Sequence, residues 1–319
     1  MHELKIGKND AGQRLDKFIT KTLHLPASLL HKSIRLKKIK VNRKRAEASQ
    51  MLSEGDSVQC FLPEEFFGAP RTEHSLAAIH PSLTVLYEDE NILLADKRPG
   101  VSVHEDEHES TNTLITQIQA YLYQRGEYDP DAEQSFAPAL CNRIDRNTGG
   151  IVIAAKTAEA LRVMNEKIKS REIDKFYLCA VHGVPAKESD TLRGYLLKDE
   201  KKKQVAVFDK NPPRGAKEII TRYRVIAKRQ ESALLEVELL TGRTHQIRAH
   251  MAHIGHPLLG DGKYGQNRED RARGYKYQAL YSYKLRFAFT GEPTALDYLS
   301  GKEFSIKKSD IYFTKEFFK

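Results

Sequence analysis

The chain has 319 residues, 40% hydrophobic and 30% charged, a balance that excludes a disordered or fibrous protein and suits two domains. No apolar run approaches the roughly 18–20 residues of a membrane span. The start, MHELKIGKND, lacks the apolar stretch of a secretory leader, and three cysteines without metal-ligand spacing exclude a disulfide scaffold. These features predict a protein of the reducing cytosol without a membrane partner.

Lys and Arg number 52 against 43 Asp and Glu, a net charge of +9. Charge alone makes a polyanion a suitable partner; where the charge sits matters more. Leu15, Phe18, Ile19 and Leu23 have helical spacing, and Pro26 opens a second helix with Leu29, Leu30, Ser33 and Ile34 on one face. Its other face, His31, Lys32 and Arg35, runs on through Lys37, Lys38, Lys40, Arg43, Lys44 and Arg45. Residues 39–42 read as a short strand entering a turn. A second turn at Glu54, Gly55 and Asp56 precedes an alternating strand of Val58, Cys60 and Leu62. Residues 1–62 are thus expected to form a small module with a basic edge. From charge alone that edge is a solvated face more often than an RNA dock.

Residues 63–80 lose periodicity and carry two prolines, which predicts a linker. Beyond it, apolar runs at 84–87 and 92–96 flank a turn and predict a hairpin. Residues 151–155 read as a buried strand, and Thr157 can cap a helix carrying Leu161, Met164 and Ile168. Further strands are expected at 176–181, 218–226 and 234–240. Ile247, Met251 and Ile254 share a helical face that ends at Gly255, with Pro257 following. Hairpins outnumber βαβ units, so the expected class is α+β, with a mixed, largely antiparallel sheet flanked by helices and loops. We expect this domain over 81–297, and a basic, aromatic tail or edge strand over 298–319.

Three stretches could carry chemistry. Residues 150–157 approach a phosphate-binding loop, but Ala155 stands where the second glycine belongs, and the β-formers between favour a strand running into a helix cap. His245, His250, His253 and His256 crowd near Asp261. Their spacing puts only some on one face, and Arg243 and Arg248 oppose a cation, so no metal is expected. The third is Asp145, between Arg143 and Arg146 and just before Gly149 and Gly150. A carboxylate among guanidinium groups favours its charged form and suits work as base or nucleophile, although an ion-paired turn residue is the commoner role.

Residues 142–150, Asn-Arg-Ile-Asp-Arg-Asn-Thr-Gly-Gly, resemble the HRLDRxTSG signature of RluA-type pseudouridine synthases. Other segments carry the same resemblance in order: the hairpin and Lys97-Arg-Pro-Gly100 turn reaching His104, the strand Lys175-Phe-Tyr177 to Gly183, Gly242-Arg-Thr-His-Gln-Ile-Arg248 with the following Gly260-Asp261-Gly-Lys-Tyr264, and a closing strand at 279–287. Asn142 replaces the usual His, Ile144 the usual Leu, Gly149 the usual Ser, and Arg98 stands where Pro is common. Residues 1–62 are similar to the α-L RNA-binding domain often fused in front of these synthases, which turns the basic edge into an expected RNA dock through Arg35, Lys37, Lys38, Lys40 and Arg43.

The resemblance implies isomerisation of uridine to pseudouridine in structured RNA, without cofactor or metal, by a cytoplasmic monomer. Ribosomal RNA of the large subunit is the first expected substrate and transfer RNA the second. Asp145 is implied as the catalytic carboxylate, acting after the base is flipped from its stack. Tyr177 is implied to stack on the base and help remove the C5 proton, Arg248 to pair with Asp145, and Arg143 to fill the gap left in the RNA. The rival is a non-catalytic RNA-binding protein of the same fold, against which stands the presence of Asp145, Tyr177 and Arg248 together.

Overall fold

A computed structural model describes residues 1–67, 76–105, 112–199, 204–265 and 267–318. The expected linker and part of the segment before Asn112 therefore fall partly outside the described residues.

The first helices form where the spacing put them: α1 over Leu15–Leu23, and α2 over Ala27–Arg35 with Pro26 as its N-cap. Against them lies a four-stranded sheet in the order β1-β4-β2-β3, made of β1 (His2–Lys5), β2 (Ile39–Val41), β3 (Lys44–Arg45) and β4 (Ser57–Cys60). Strand β1 lacks a clear apolar alternation and is recruited by pairing with β4, from His2 opposite Cys60 to Lys5 opposite Ser57. Between β2 and β3, Asn42 and Arg43 have φ of 51° and 63°, the left-handed pair that a two-residue hairpin needs. Leu15, Phe18, Ile19, Leu30, Ile39 and Val58 fill a core of their own, each buried side chain contributing about 1.5–3 kcal/mol.

The remaining strands form one large sheet. In chain order they are β5 (Val85–Glu88), β6 (Ile92–Lys97), β7 (Ala139–Leu140), β8 (Gly149–Ala155), β9 (Ile173–His182), β10 (Ser189–Asp199), β11 (Gln204–Phe208), β12 (Lys217–Lys228), β13 (Ser232–Leu239), β14 (Leu280–Phe287) and β15 (Glu303–Ser305). Their order is β11-β10-β12-β13-β9-β14-β8-β6-β5, with β7 on β8 and β15 on β14. Among the described strands only β14 and β8 pair in parallel, which agrees with the expected mixed, largely antiparallel class.

Alternation along β9 divides the core. Leu178 and Ala180 face a layer holding Ala160 and Met164 of helix α4 (Ala158–Lys169). Tyr177, Cys179 and Val181 face helices α3 (Leu114–Gln124) and α5 (Gln246–His253) through Ile118, Leu122, Ile247 and Met251. Thr157 caps α4 by accepting the Ala160 N–H at 3.1 Å, so residues 149–157 are a strand and a cap, as the β-formers indicated.

The stretch from 298 onward corrects one expectation. It does include an edge strand, β15, but Leu299, Ile306, Ile311, Phe313 and Phe317 are buried in the same core as β14. Phe304, Phe313 and Phe317 pack into that layer while Tyr298, Tyr312 and Phe318 stay exposed, so 298–318 is part of the large domain and not a tail.

The N-terminal module rests on the large domain through polar contacts. The Asp10 carboxylate, 3% exposed, accepts hydrogen bonds from the Ser135 hydroxyl at 2.5 Å and from the Ser135 N–H at 3.2 Å. Asn9 donates to Glu133 at 2.7 Å and accepts from the Ala158 N–H at 3.2 Å, and Arg162 donates to the Ala11 carbonyl at 3.1 Å.

Candidate active site

Asp145 sits in the loop between β7 and β8, and the local sequence explains how it is held. Asn142 accepts the Ile153 N–H at 2.7 Å, which ties the loop's start to β8. Ile144 is buried beneath it. The Thr148 N–H returns to the Asp145 carbonyl at 3.0 Å and closes the turn. Gly149 is needed because β14 runs so close: a Cβ there would meet the Tyr281 ring at 2.3 Å. Asn142 and Gly149 thus have structural work of their own where the signature has His and Ser.

Below the loop lies Lys97, 1% exposed, with its Nζ donating to the carbonyls of Val101, Arg146 and Arg98 at 2.8, 2.9 and 3.1 Å. Three carbonyls take the three hydrogens of the ammonium form. Burial pushes its pKa down to about 7, against the pull of the Asp145 and Asp96 charges. One side chain therefore joins the turn after β6 to the residue next to Asp145.

Arg248 rises from α5 between two carboxylates. Its Nη1 donates to Asp145 Oδ2 at 2.7 Å, while Nε and Nη2 grip Asp261 Oδ2 and Oδ1 at 2.7 and 2.9 Å. Asp261 is fully buried and also accepts the N–H groups of Lys263 and Tyr264. Burial alone would raise its pKa, but the Arg248 guanidinium more than reverses this and holds it below the usual carboxylate range. For Arg248, burial is likewise outweighed by Asp261 and Asp145, so its pKa is raised.

Tyr177 lies on β9 in the floor of the same cleft. Burial pushes its phenol up to about 12, against a hydrogen bond from Ser282. Arg143 is exposed at the cleft wall. Across from it His104 has its pKa lowered, first by burial and then by the Arg143 charge. The cleft measures about 1030 Å³, and its lining includes Asp145, Tyr177, Arg248, Arg143, Arg243 and Lys276.

Four of the anticipated residues, Asp145, Tyr177, Arg248 and Arg143, meet here. Arg35, Lys37, Lys38, Lys40 and Arg43 do not line this cleft. They lie along the end of α2 and the β2–β3 hairpin, and none is in an ion pair among the described residues. Lys40 lies 5.4 Å from the centre of the exposed Phe61 ring, a pairing of cation and aromatic that suits nucleic acid.

The clustered histidines separate. His250 bonds Thr221, His253 bonds Asp209, and His256 Nδ1 bonds the His182 carbonyl, each at 2.9–3.0 Å. His245 alone enters the cleft, its Nδ1 2.8 Å from the Tyr264 hydroxyl and its Nε2 3.8 Å from Asp145 Oδ2. In sequence Asp261, His245 and Tyr264 show only a metal-like spacing or a place in a motif. Their nearness to Asp145 depends on a crossing of chain segments a hundred or more residues apart.

The model of the RNA pseudouridylate synthase family matches residues 91–253. The chain is 32% identical over 273 residues to ribosomal large subunit pseudouridine synthase C of Buchnera aphidicola, covering 84% of this chain and 82% of that protein. It is 30% identical over 308 residues to the protein of that name in Vibrio vulnificus, covering 93% and 92%. The solved structure of human RNA pseudouridylate synthase domain containing 1 shares the fold with a TM-score of 0.57 at 20% identity, over 74% of this chain and 86% of that one. The chain belongs to the RNA pseudouridylate synthase family. It is an enzyme of the isomerase type, as its motifs led us to expect.

Proposed function

We propose that this protein converts uridine to pseudouridine in large-subunit ribosomal RNA, with Asp145 as the catalytic carboxylate. The reaction breaks the bond from N1 to C1′, turns the base, joins C5 to C1′, releases the C5 hydrogen as a proton and leaves a proton on N1, so that no atom is gained or lost overall. Such a reaction calls for a charged carboxylate beside the ribose, able to attack the sugar or take a proton from it. The observation that carries the reading is Asp145 held on one oxygen by Arg248, which is itself clamped by buried Asp261.

Tyr177 supports the target base by stacking. With its phenol pushed up to about 12 it stays protonated at neutral pH, which favours stacking over removal of the C5 proton. Arg143 fits the place vacated by a flipped uridine, where its guanidinium can stack between neighbouring bases. The five cations of the N-terminal module add phosphate contacts, and the names of the relatives support ribosomal over transfer RNA.

The test is tritium release from RNA labelled at uridine C5. Large-subunit ribosomal RNA should release tritium with the wild type and not with Asp145→Ala. Release from transfer RNA alone would move the substrate, and release by the variant would remove Asp145 from the chemistry.

A further inference from the structure

His245 occupies the position before α5 with φ of 55°, a left-handed conformation that glycine or asparagine adopts with less strain. The ring is mostly buried between Asp145 and Tyr264. The Tyr264 oxygen already accepts the Val205 N–H at 3.0 Å. With Tyr264 donating its one hydrogen to His245 Nδ1 at 2.8 Å, the neutral imidazole carries its own hydrogen on Nε2. That nitrogen faces Asp145 Oδ2 at 3.8 Å, the same oxygen that Arg248 Nη1 contacts. The other carboxylate oxygen, Oδ1, has no hydrogen-bond partner among the described residues and belongs to the cleft wall.

We propose that His245 is a positioning residue for Asp145: locked by Tyr264 as the Nε2–H tautomer, it shares Oδ2 with Arg248 and leaves Oδ1 to meet the ribose. This rests on Asp145 as the reacting group. Tyr264 acts at one further remove, through the tautomer of His245. Lys263 and Asp261 complete the charged surroundings of the ring, and neither offers Nε2 a competing acceptor in the cleft, since Asp261 is taken up by Arg248 and backbone N–H groups.

Two readouts test this on the full chain. Nitrogen-15 shifts of labelled histidine distinguish the tautomers without any substrate: the wild type should carry the proton on Nε2, and Tyr264→Phe should shift His245 toward a mixture. Single-turnover tritium release then tests the consequence. His245→Asn tolerates the left-handed backbone and can still meet Tyr264 but falls short of Asp145. It should slow turnover roughly tenfold to a hundredfold with RNA affinity unchanged. His245→Gln, whose amide reaches the Nε2 position, should recover most of the rate. Tyr264→Phe should slow the wild type yet add nothing in the His245→Gln background, because the link it breaks is already gone.

A wild-type proton on Nδ1, a near-normal rate in His245→Asn, or equal cost of Tyr264→Phe in both backgrounds would each overturn the proposal. Persistent turnover by Asp145→Ala would instead overturn the catalytic reading, while the tautomer measured by nitrogen-15 would stand on its own.

Discussion

Arg248 gives two of its N–H groups to Asp261, at 2.7 and 2.9 Å, and only one to Asp145, at 2.7 Å. The guanidinium is thus anchored from behind and presented to the cleft. Arginine suits this because its planar fork matches a carboxylate edge and leaves a third donor pointing away. Asp261 is fully buried and Arg248 7% exposed, so the anchor pair is shielded from solvent while Asp145 stays open to substrate.

Asp261→Asn keeps the shape but leaves a buried cation with one partner fewer. Breaking a buried pair costs about 3–5 kcal/mol, which chemical denaturation should show, together with loss of tritium release. Arg248→Lys keeps the charge without the fork and should lose at least tenfold in turnover while RNA binding persists. Near-wild-type turnover in Arg248→Lys would show that charge alone suffices.

Lys97→Met retains an apolar stem of similar length and removes the hydrogens that three carbonyls share. The Arg146 and Arg98 carbonyls also accept the N–H groups of Gly100 and Val101, at 2.9 and 3.5 Å, so among the described residues it is the Val101 carbonyl that is left unpaired, at a cost of about 1–3 kcal/mol. The variant should therefore unfold at lower denaturant concentration, and the loop next to Asp145 should keep only the two Arg146–Gly100 bonds as its tie to the turn after β6. Reduced turnover with unchanged stability would mean that Lys97 acts on the chemistry and not through the loop.

These residues also mark what could be read without a structure. Periodicity found α1, α2, α4 and the hairpin of β12 and β13 because each is amphipathic or buried over several turns or pairs. It missed β1, which has no apolar pattern and exists through its partner β4. It also missed β10, an eleven-residue strand of mixed burial. Asp145, Tyr177 and Arg248 were singled out from motifs, but the anchor role of Asp261 was not. In sequence Asp261 follows Arg248 by the rest of α5 and a turn, and only the fold brings its two oxygens to Arg248. The aromatic run near the C-terminus showed the opposite error, since composition alone cannot tell a sticky tail from the last layer of a core.

His250 makes a prediction in pH. It is 1% exposed, and burial, with help from neighbouring His253, lowers its pKa to about 4, against roughly 6.5 in an unfolded chain. Between those values the unfolded state binds the proton and the folded state does not, so stability falls as pH drops from about 6.5 to 4. The size is about 3 kcal/mol at 1.36 kcal/mol per pKa unit. His250→Asn can keep a contact to Thr221 without titrating. Denaturation of the two proteins at several pH values should show the wild type losing ground to the variant on the acid side. Parallel curves would exclude His250 as the source.

The N-terminal module yields a separable prediction, because its docking contacts and its cations lie on different residues. Asp10 and Asn9 meet Ser135, Glu133 and Ala158, whereas Arg35, Lys37, Lys38, Lys40 and Arg43 follow α2 and the β2–β3 hairpin. Each phosphate contact contributes about 0.7–0.9 to the slope of log affinity against log salt. Replacing the five cations by alanine should flatten that slope by about 3.5–4.5 if all of them engage RNA, with the module still docked. Replacing Asn9, Asp10 and Arg162 together by alanine should do the reverse: the slope stays steep because the five cations remain, while small-angle scattering detects a looser, more extended particle. A short stem-loop that reaches only the cleft should be turned over by both variants. Equal salt slopes for the wild type and the five-alanine variant would assign the basic edge to solvent and leave RNA affinity to the cleft.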